Sequence, residues 1–232
     1  MKRFYKQAKV EHSDPGYFVT LDGRPIKTQG GQPQVVPTLT LAERMAAEWQ
    51  NQSEELDPQA FVFRDMVDYA LDVLPTEREA TVEKLLRYAE TDTLCYRADP
   101  DEPLWHRQRD VWEPMLGALE NSEGIRFERV SGVVHRPHPK QTMDALRMRI
   151  ERLDPFQLAA LEQLTSLSAS LCVGLAALED GADGEKLWDA ANLEEDWQVE
   201  QWGADEEASA RREKCKRDFL NAMEFATAAR GR

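Results

Sequence analysis

The sequence predicts an α+β fold: a small N-terminal antiparallel sheet with early helices, followed by a mainly helical C-terminal part. Two observations carry this. Around Tyr17–Leu21 the apolar residues alternate with a period of two and are followed by Asp22-Gly23. Beyond about Val36 the apolar spacing changes to that of a helix and stays there for most of the chain. No internal repeat or low-complexity linker interrupts the 232 residues. The expected division is a domain over 1–75 and a helical domain over 76–232.

The elements follow in order. Tyr17, Val19 and Leu21 alternate with Phe18 and Thr20, and Asp22-Gly23 readily takes the positive φ angles of a tight hairpin. A return strand is expected over Arg24–Thr28, a partner strand over Phe4–Val10 and a short strand over Gln34–Val36. Thr40 with Glu43 fits a capping box, and Leu41, Met45 and Trp49 then share one helical face. A short helix is expected from Arg64 to Leu74, ended by Pro75. Thr76 with Glu79 repeats the capping pattern ahead of Val82, Leu85, Leu86 and Ala89. Leu104, Gln108, Val111, Trp112, Met115 and Leu119 form the next stripe. Ile125–Val134 reads as a lone strand. Met143, Leu146, Ile150 and Leu153 line another helix. Leu164, Leu167, Leu171, Leu175 and Leu178 are spaced as one long buried helix, with Ala, Ser and Gly on its other faces. A helix over Glu185–Trp202, with a break near Asn192, precedes a last helix from about Asp205. That helix carries Ala208, Cys215, Phe219 and Met223 inward.

Composition narrows the function. A net charge of -14 repels phosphate backbones, so nucleic acid is not an expected partner. Three cysteines without a C-x-x-C pair argue against a disulfide framework and for a reducing compartment. The start, Met1-Lys2-Arg3-Phe4-Tyr5, has neither the apolar core of a secretion signal nor the Arg- and Ser-rich run of an import peptide. The most apolar stretch, Ala169–Leu178, is too short to span a bilayer. A cytoplasmic protein that does not insert into membrane is therefore expected.

Catalytic signatures are missing: there is no G-x-S-x-G, G-x-x-x-x-G-K, G-x-G-x-x-G or H-E-x-x-H. No enzyme and no cofactor is expected. His135 and His138 suggest a metal site with Cys95 or His106, but the second close pair of a zinc site is lacking, and a polar loop is the plainer reading. The acids Glu194, Glu195, Asp196, Glu200, Asp205, Glu206 and Glu207 allow three readings. They form a carboxylate metal site for a hydrolase, a binding surface, or a solvated face with favourable charge at a helix start. Trp49, Trp112 and Trp197 read as core aromatics. Trp202 stands apart, at a helix end beside Gly203 and the acids. In Thr91–Arg97, a nucleophilic Cys95 would need an activating base that no neighbour supplies. Asp92, Cys95, Tyr96 and Arg97 are therefore read as structural.

Several runs together resemble the ATP synthase assembly factor 2 family. They are Arg3-Phe4-Tyr5, Leu21-Asp22-Gly23-Arg24 with Lys27-Thr28, Val36-Pro37, and Glu48-Trp49 with Gln52. Further on come Thr91–Arg97, Gln108 with Trp112 and Pro114, and Leu193-Glu194-Glu195-Asp196-Trp197-Gln198. Gln201-Trp202-Gly203 with Glu206 completes the set. The chain departs from the family at Phe61–Asp65, where a Met-Pro stretch is usual, at Glu113, and in the His- and Pro-rich Val134–Pro139. The resemblance implies a bacterial assembly chaperone. It would bind the free α subunit of ATP synthase, prevent its aggregation and release it into the αβ ring. The family's functional acid after the Trp-Gly pair falls on Glu206, with Asp205 and Glu207 as near alternatives and Trp202 and Gly203 completing the expected contact. A scaffold for another complex is the remaining alternative.

Overall fold

The structure, a computed structural model, describes residues 1–132, 134–203 and 205–230. Two compact units divide it. The first is Met1–Arg78 with Asp154–Ala160 and the chain from Glu224; the second is Glu79–Leu153 with Leu161–Met223.

In the first unit β1 (Ala8–Ser13), β2 (Gly16–Leu21) and β3 (Arg24–Pro25) form an antiparallel sheet in that order. Asp22 (φ 49) and Gly23 (φ 81) make the expected hairpin turn, both residues taking the positive φ of a primed turn. The partner strand starts at Ala8, later than the reading of Phe4–Val10. Ahead of it, the Asp22 carboxylate accepts the Lys6 and Gln7 N–H groups at 3.1 and 2.9 Å, replacing ladder bonds. The strand expected at Gln34–Val36 is reduced to one isolated bridge, between Val36 and Tyr17.

Helix α1 (Leu39–Gln50) packs on β1 and β2 and buries Leu41, Met45 and Trp49 as their spacing requires. Its cap is Thr38, whose hydroxyl accepts the Leu41 N–H at 3.1 Å; Thr40 lies inside the helix. The short helix expected to stop at Pro75 does not stop. Helix α2 (Val62–Asp68) runs through a π turn at Tyr69–Val73 into α3 (Leu74–Glu90). The wider turn comes just before a proline that has no N–H and would crowd the carbonyl four residues back in a regular helix. Because the helix continues, Thr76 is no cap; its hydroxyl donates to the Val73 carbonyl.

The same turn holds the loop after β3. Asp68 accepts from Gln29 N–H and the Gln34 side chain, and Asp72 from the Thr28 hydroxyl and Gly30 N–H, both at 2.7 Å. A Cβ on Gly30 would meet the Asp72 carboxyl at 2.8 Å, which explains the glycine.

Phe61, at the start of α2, makes no side-chain cap bond. Glu48 on α1 supplies the cap, accepting the N–H groups of Phe63 (2.6 Å) and Arg64 (3.0 Å). Burial outweighs those bonds and lifts the Glu48 carboxyl from 4.5 to about 6. The folded state therefore holds a proton that the unfolded chain releases between about pH 4.5 and 6. The contribution of Glu48 to stability is full below that window and falls as pH rises through it. The stability of the parent relative to Glu48→Gln should fall by ~2 kcal/mol from about pH 4 to about pH 7. Urea unfolding of both proteins measures this, and parallel pH curves would remove the charge from the account.

Further along the chain the five-leucine helix is broken. α6 (Pro155–Ser168) stops, Ala169 takes φ 50, and α7 (Leu171–Ala177) restarts under a Ser170 cap. Helix α4 (Pro103–Glu123) buries Gln108, Trp112 and Leu116; Leu116, not Met115 or Leu119, continues the stripe, and Val111 is exposed. Of Ile125–Val134, only β5 (Val130–Ser131) pairs, in parallel with β4 (Tyr96–Arg97); Val133 lies outside the described residues. Helix α5 (Lys140–Glu151) buries Thr142, Leu146 and Ile150. α8 (Gly184–Ala191) and α9 (Leu193–Trp202) break at Asn192 as expected, and α10 (Glu206–Arg230) buries Phe219. Ala208, Cys215 and Met223 are half-buried. No helix among the described residues is long and apolar enough to cross a membrane.

Candidate functional site

The Thr91–Arg97 run works as a clamp. Asp92 is fully buried, and its carboxylate accepts the Leu94 N–H (3.1 Å), the Ser170 hydroxyl (2.7 Å) and the Cys172 N–H (2.9 Å). The Thr93 hydroxyl donates to the Ala169 carbonyl at 3.0 Å. Two motif residues thus hold the break between α6 and α7. Cys95 is buried, and burial with the Asp92 charge pushes its thiol far above its ordinary range, so it is poorly suited to be a thiolate nucleophile. Tyr96 enters β4, and its hydroxyl meets His135 Nδ1 at 3.1 Å.

Arg97 extends the clamp to α4. Its Nη2 donates to Glu113 at 2.9 Å and its guanidinium carbon lies 5.0 Å from the Trp112 ring centroid. Arg129 links Glu113 to Glu120. The Gln108 carbonyl oxygen accepts the Ala98 N–H at 2.8 Å, and its amide donates to Glu194 at 2.6 Å. The Trp112 indole donates to the Ala190 carbonyl at 2.7 Å. Runs that lie far apart in sequence therefore meet through hydrogen bonds, and what they position is the start of α9.

Helix α9 leads to the predicted contact. Glu194, Glu195 and Asp196 occupy its first turn, where negative charge complements the helix dipole. Arg212 on α10 pairs with Asp196, and Arg107 on α4 pairs with Glu200 at 2.7 Å. Trp197 is half-buried with Arg107 over its ring at 5.9 Å. The opposite face is bare. Val199 is 39% and Trp202 80% exposed, three residues apart and so on one side of the helix. Gly203 (φ 89) then turns the chain, and its N–H closes on the Val199 carbonyl at 2.8 Å.

Asp205 is the capping acid of α10: its carboxylate accepts the Ala208 N–H at 2.8 Å. Glu206 and Glu207 follow in the first turn, both exposed and without an ion pair among the described residues. Ala204 lies outside those residues. The sequence placed these five residues together, and the structure separates them by task. Asp205 and Gly203 shape the corner, while Trp202, Glu206 and Glu207 are left exposed beside it.

One feature escaped sequence reasoning. Val111 and Met115, assigned to the core stripe, line a cleft of about 850 Å³ with Ala176, Leu187 and Leu193. Asp196 and Arg212 stand at the same cleft. The signal was faint, since Val111 follows helical spacing as well as any core residue.

The histidine pair is not a unit. His138 is buried, accepts the Glu128 N–H on Nδ1 at 3.0 Å and faces the Ala89 carbonyl with Nε2 at 3.0 Å. The proton therefore sits on Nε2, and burial lowers the pKa. Among the described residues, no three His, Cys, Asp or Glu side chains gather as a set of metal ligands.

Comparison with known proteins gives a consistent picture. The family described as ATP12 chaperone protein matches residues 2–120. Protein atp12, mitochondrial, of Schizosaccharomyces pombe is 26% identical over 219 residues, covering 89% of this chain and 75% of that protein. The crystal structure of Atp12 from Paracoccus denitrificans superposes with a TM-score of 0.93 at 31% identity, covering 98% of each chain. That of an Agrobacterium tumefaciens protein superposes with a TM-score of 0.92 at 38% identity, covering 98% of this chain and 85% of that one.

Proposed function

Since the chain belongs to the ATP12 chaperone family, which serves ATP synthase assembly, we propose that it binds the free α subunit of ATP synthase and covers it until the αβ ring forms. A ring subunit exposes apolar interface before assembly, and such patches associate nonspecifically. A reversible cover is enough, so no bond needs to be made or broken.

The observation that carries the reading is the corner between α9 and α10. A tryptophan that is 80% exposed stands beside two carboxylates with no ion pair of their own among the described residues. Exposed tryptophan is costly to leave in water and is enriched among the residues that dominate interfaces. The flanking acids add selectivity for a basic rim on the client. The cleft at Val111 and Met115 offers a place for a client side chain close to Asp196 on α9.

Glu206→Gln tests the assignment, because it keeps the shape and removes the charge. The dipole contribution of one acid at a helix start is only ~0.3–1 kcal/mol, and Asp205 and Glu207 remain. Stability should therefore barely change. Loss of one member of a desolvated charged pair costs ~2–5 kcal/mol, or about thirtyfold in affinity at the low end. Thermal unfolding and suppression of α-subunit aggregation are measured on the same samples, with Glu206→Lys as the stronger variant. Full protection by both variants would reduce Glu206 to a helix-start acid, and a much lower melting temperature would make it structural.

A further inference from the structure

The Leu21–Thr28 run is only partly explained by folding. Asp22 and Gly23 make the hairpin, and Thr28 is held by Asp72. The side chains of Arg24 and Lys27 are exposed and have no hydrogen bond or ion pair among the described residues. Both stand on the wall of a cleft of about 540 Å³ whose other walls include Phe4, Tyr5, Ile26 and Trp49. Phe4 is 64% exposed, so an aromatic face is open to a visitor. Asp22 also lies at the cleft, but its carboxylate is committed to the Lys6 and Gln7 N–H groups, which hold its pKa low. The Trp49 indole N–H has no acceptor among the described residues.

An aromatic cleft with two cations that have no partner among the described residues is unusual in a chain of net charge -14. The net charge of the chain repels acidic partners, whereas this cleft presents two cations. We propose that the cleft is a docking site for an extended acidic peptide segment, with an apolar side chain against Phe4 and Ile26 and flanking carboxylates at Arg24 and Lys27. The charge on the walls selects the occupant: a basic segment would meet two cations against one carboxylate, that of Asp22, which already accepts two backbone N–H groups. This is the opposite preference to the acidic corner in the second unit, so the chain carries two recognition surfaces of opposite sign.

The experiment uses the full chain and a fluorescein-labelled peptide of alternating glutamate and leucine, followed by fluorescence anisotropy. A peptide with lysine in place of glutamate is the control. The variant is Arg24→Glu combined with Lys27→Glu, two exposed positions, with circular dichroism to verify folding. The acidic peptide should bind the parent at least about tenfold more tightly than the lysine peptide, and the double variant should lose at least about tenfold, because exposed attractions are replaced by repulsions. Binding should weaken with added salt. Equal affinity for both peptides, no binding of the acidic one, or undiminished binding to the variant would overturn the proposal. No α subunit is present in this measurement, so its failure leaves the reading of the α9–α10 corner intact. Failure of that reading likewise leaves this one standing.

Discussion

Asp92→Ala should destabilise the protein by about 4 kcal/mol, because it strips three donors of their acceptor in a buried site. The Ser170 hydroxyl, the Cys172 N–H and the Leu94 N–H all lose their partner at once. An unpaired buried donor costs ~1–3 kcal/mol, and partial rearrangement keeps the total below the simple sum. Ser170 also caps α7 through the Val173 N–H at 3.0 Å, and Asp92 orients that hydroxyl. The melting temperature should fall by roughly 10 °C. Asp92→Asn is the discriminating companion. It keeps the oxygen that serves Leu94 and Ser170 but can set an amide N–H against the Cys172 N–H, so it should fall between parent and Ala. If Asn and Ala lose equally, the Cys172 bond dominates; if neither changes the melting temperature, the clamp is not structural.

The clamp also shows why part of the fold was hidden in the sequence. Leu164, Leu167, Leu171, Leu175 and Leu178 keep helical spacing straight through Ala169, so periodicity reports one helix where there are two. The break depends on Asp92 and Thr93, more than seventy residues earlier in the chain. No local window contains that information. Pro75 failed in the opposite direction: as a local breaker it predicts an end, but a π turn carries the helix past it. By contrast, Asp22-Gly23 was legible because its backbone preference acts within two residues. The Leu41–Met45–Trp49 stripe was legible because one face is enough to bury it.

The sequence names the residues of the candidate contact but not the local task of each acid. Gly203 and the acids mark a helix junction in any sequence, and charge alone cannot separate a capping acid from a free one. The structure does so through one bond: Asp205 accepts the Ala208 N–H, while Glu206 and Glu207 have no ion pair among the described residues. Trp202 could not be told from the core tryptophans by type. Its exposure follows from its place on α9, whose buried apolar residue is Leu193. Arg24 and Lys27 sit in a motif whose turn residues have a local backbone signature, whereas their own lack of side-chain partners among the described residues depends on the tertiary surroundings.

Trp49→Arg should cost at least ~4 kcal/mol and lower the melting temperature by more than roughly 10 °C. Trp49 is 8% exposed, with its ring centroid 5.5 Å from Tyr5 and 4.5 Å from Phe61. Removing a buried aromatic of this size costs ~3–5 kcal/mol in lost contacts and cavity. The incoming guanidinium adds a charge in an apolar site. It would also meet Arg64, whose guanidinium carbon already lies 5.7 Å from the Trp49 ring, while Glu48 is occupied by the α2 N–H groups. Tyr5 gives no compensation, because its hydroxyl bonds to the Trp49 backbone carbonyl, which the substitution leaves in place. Trp49→Phe separates packing from polarity. The indole N–H has no acceptor among the described residues, so its loss removes no hydrogen bond there, and the smaller ring should cost only ~1–2 kcal/mol. Urea unfolding of the three proteins ranks them. An unchanged midpoint for Trp49→Arg would place the side chain outside the core. A Trp49→Phe loss as large as that of Trp49→Arg would instead assign the indole N–H a bond that packing alone does not require.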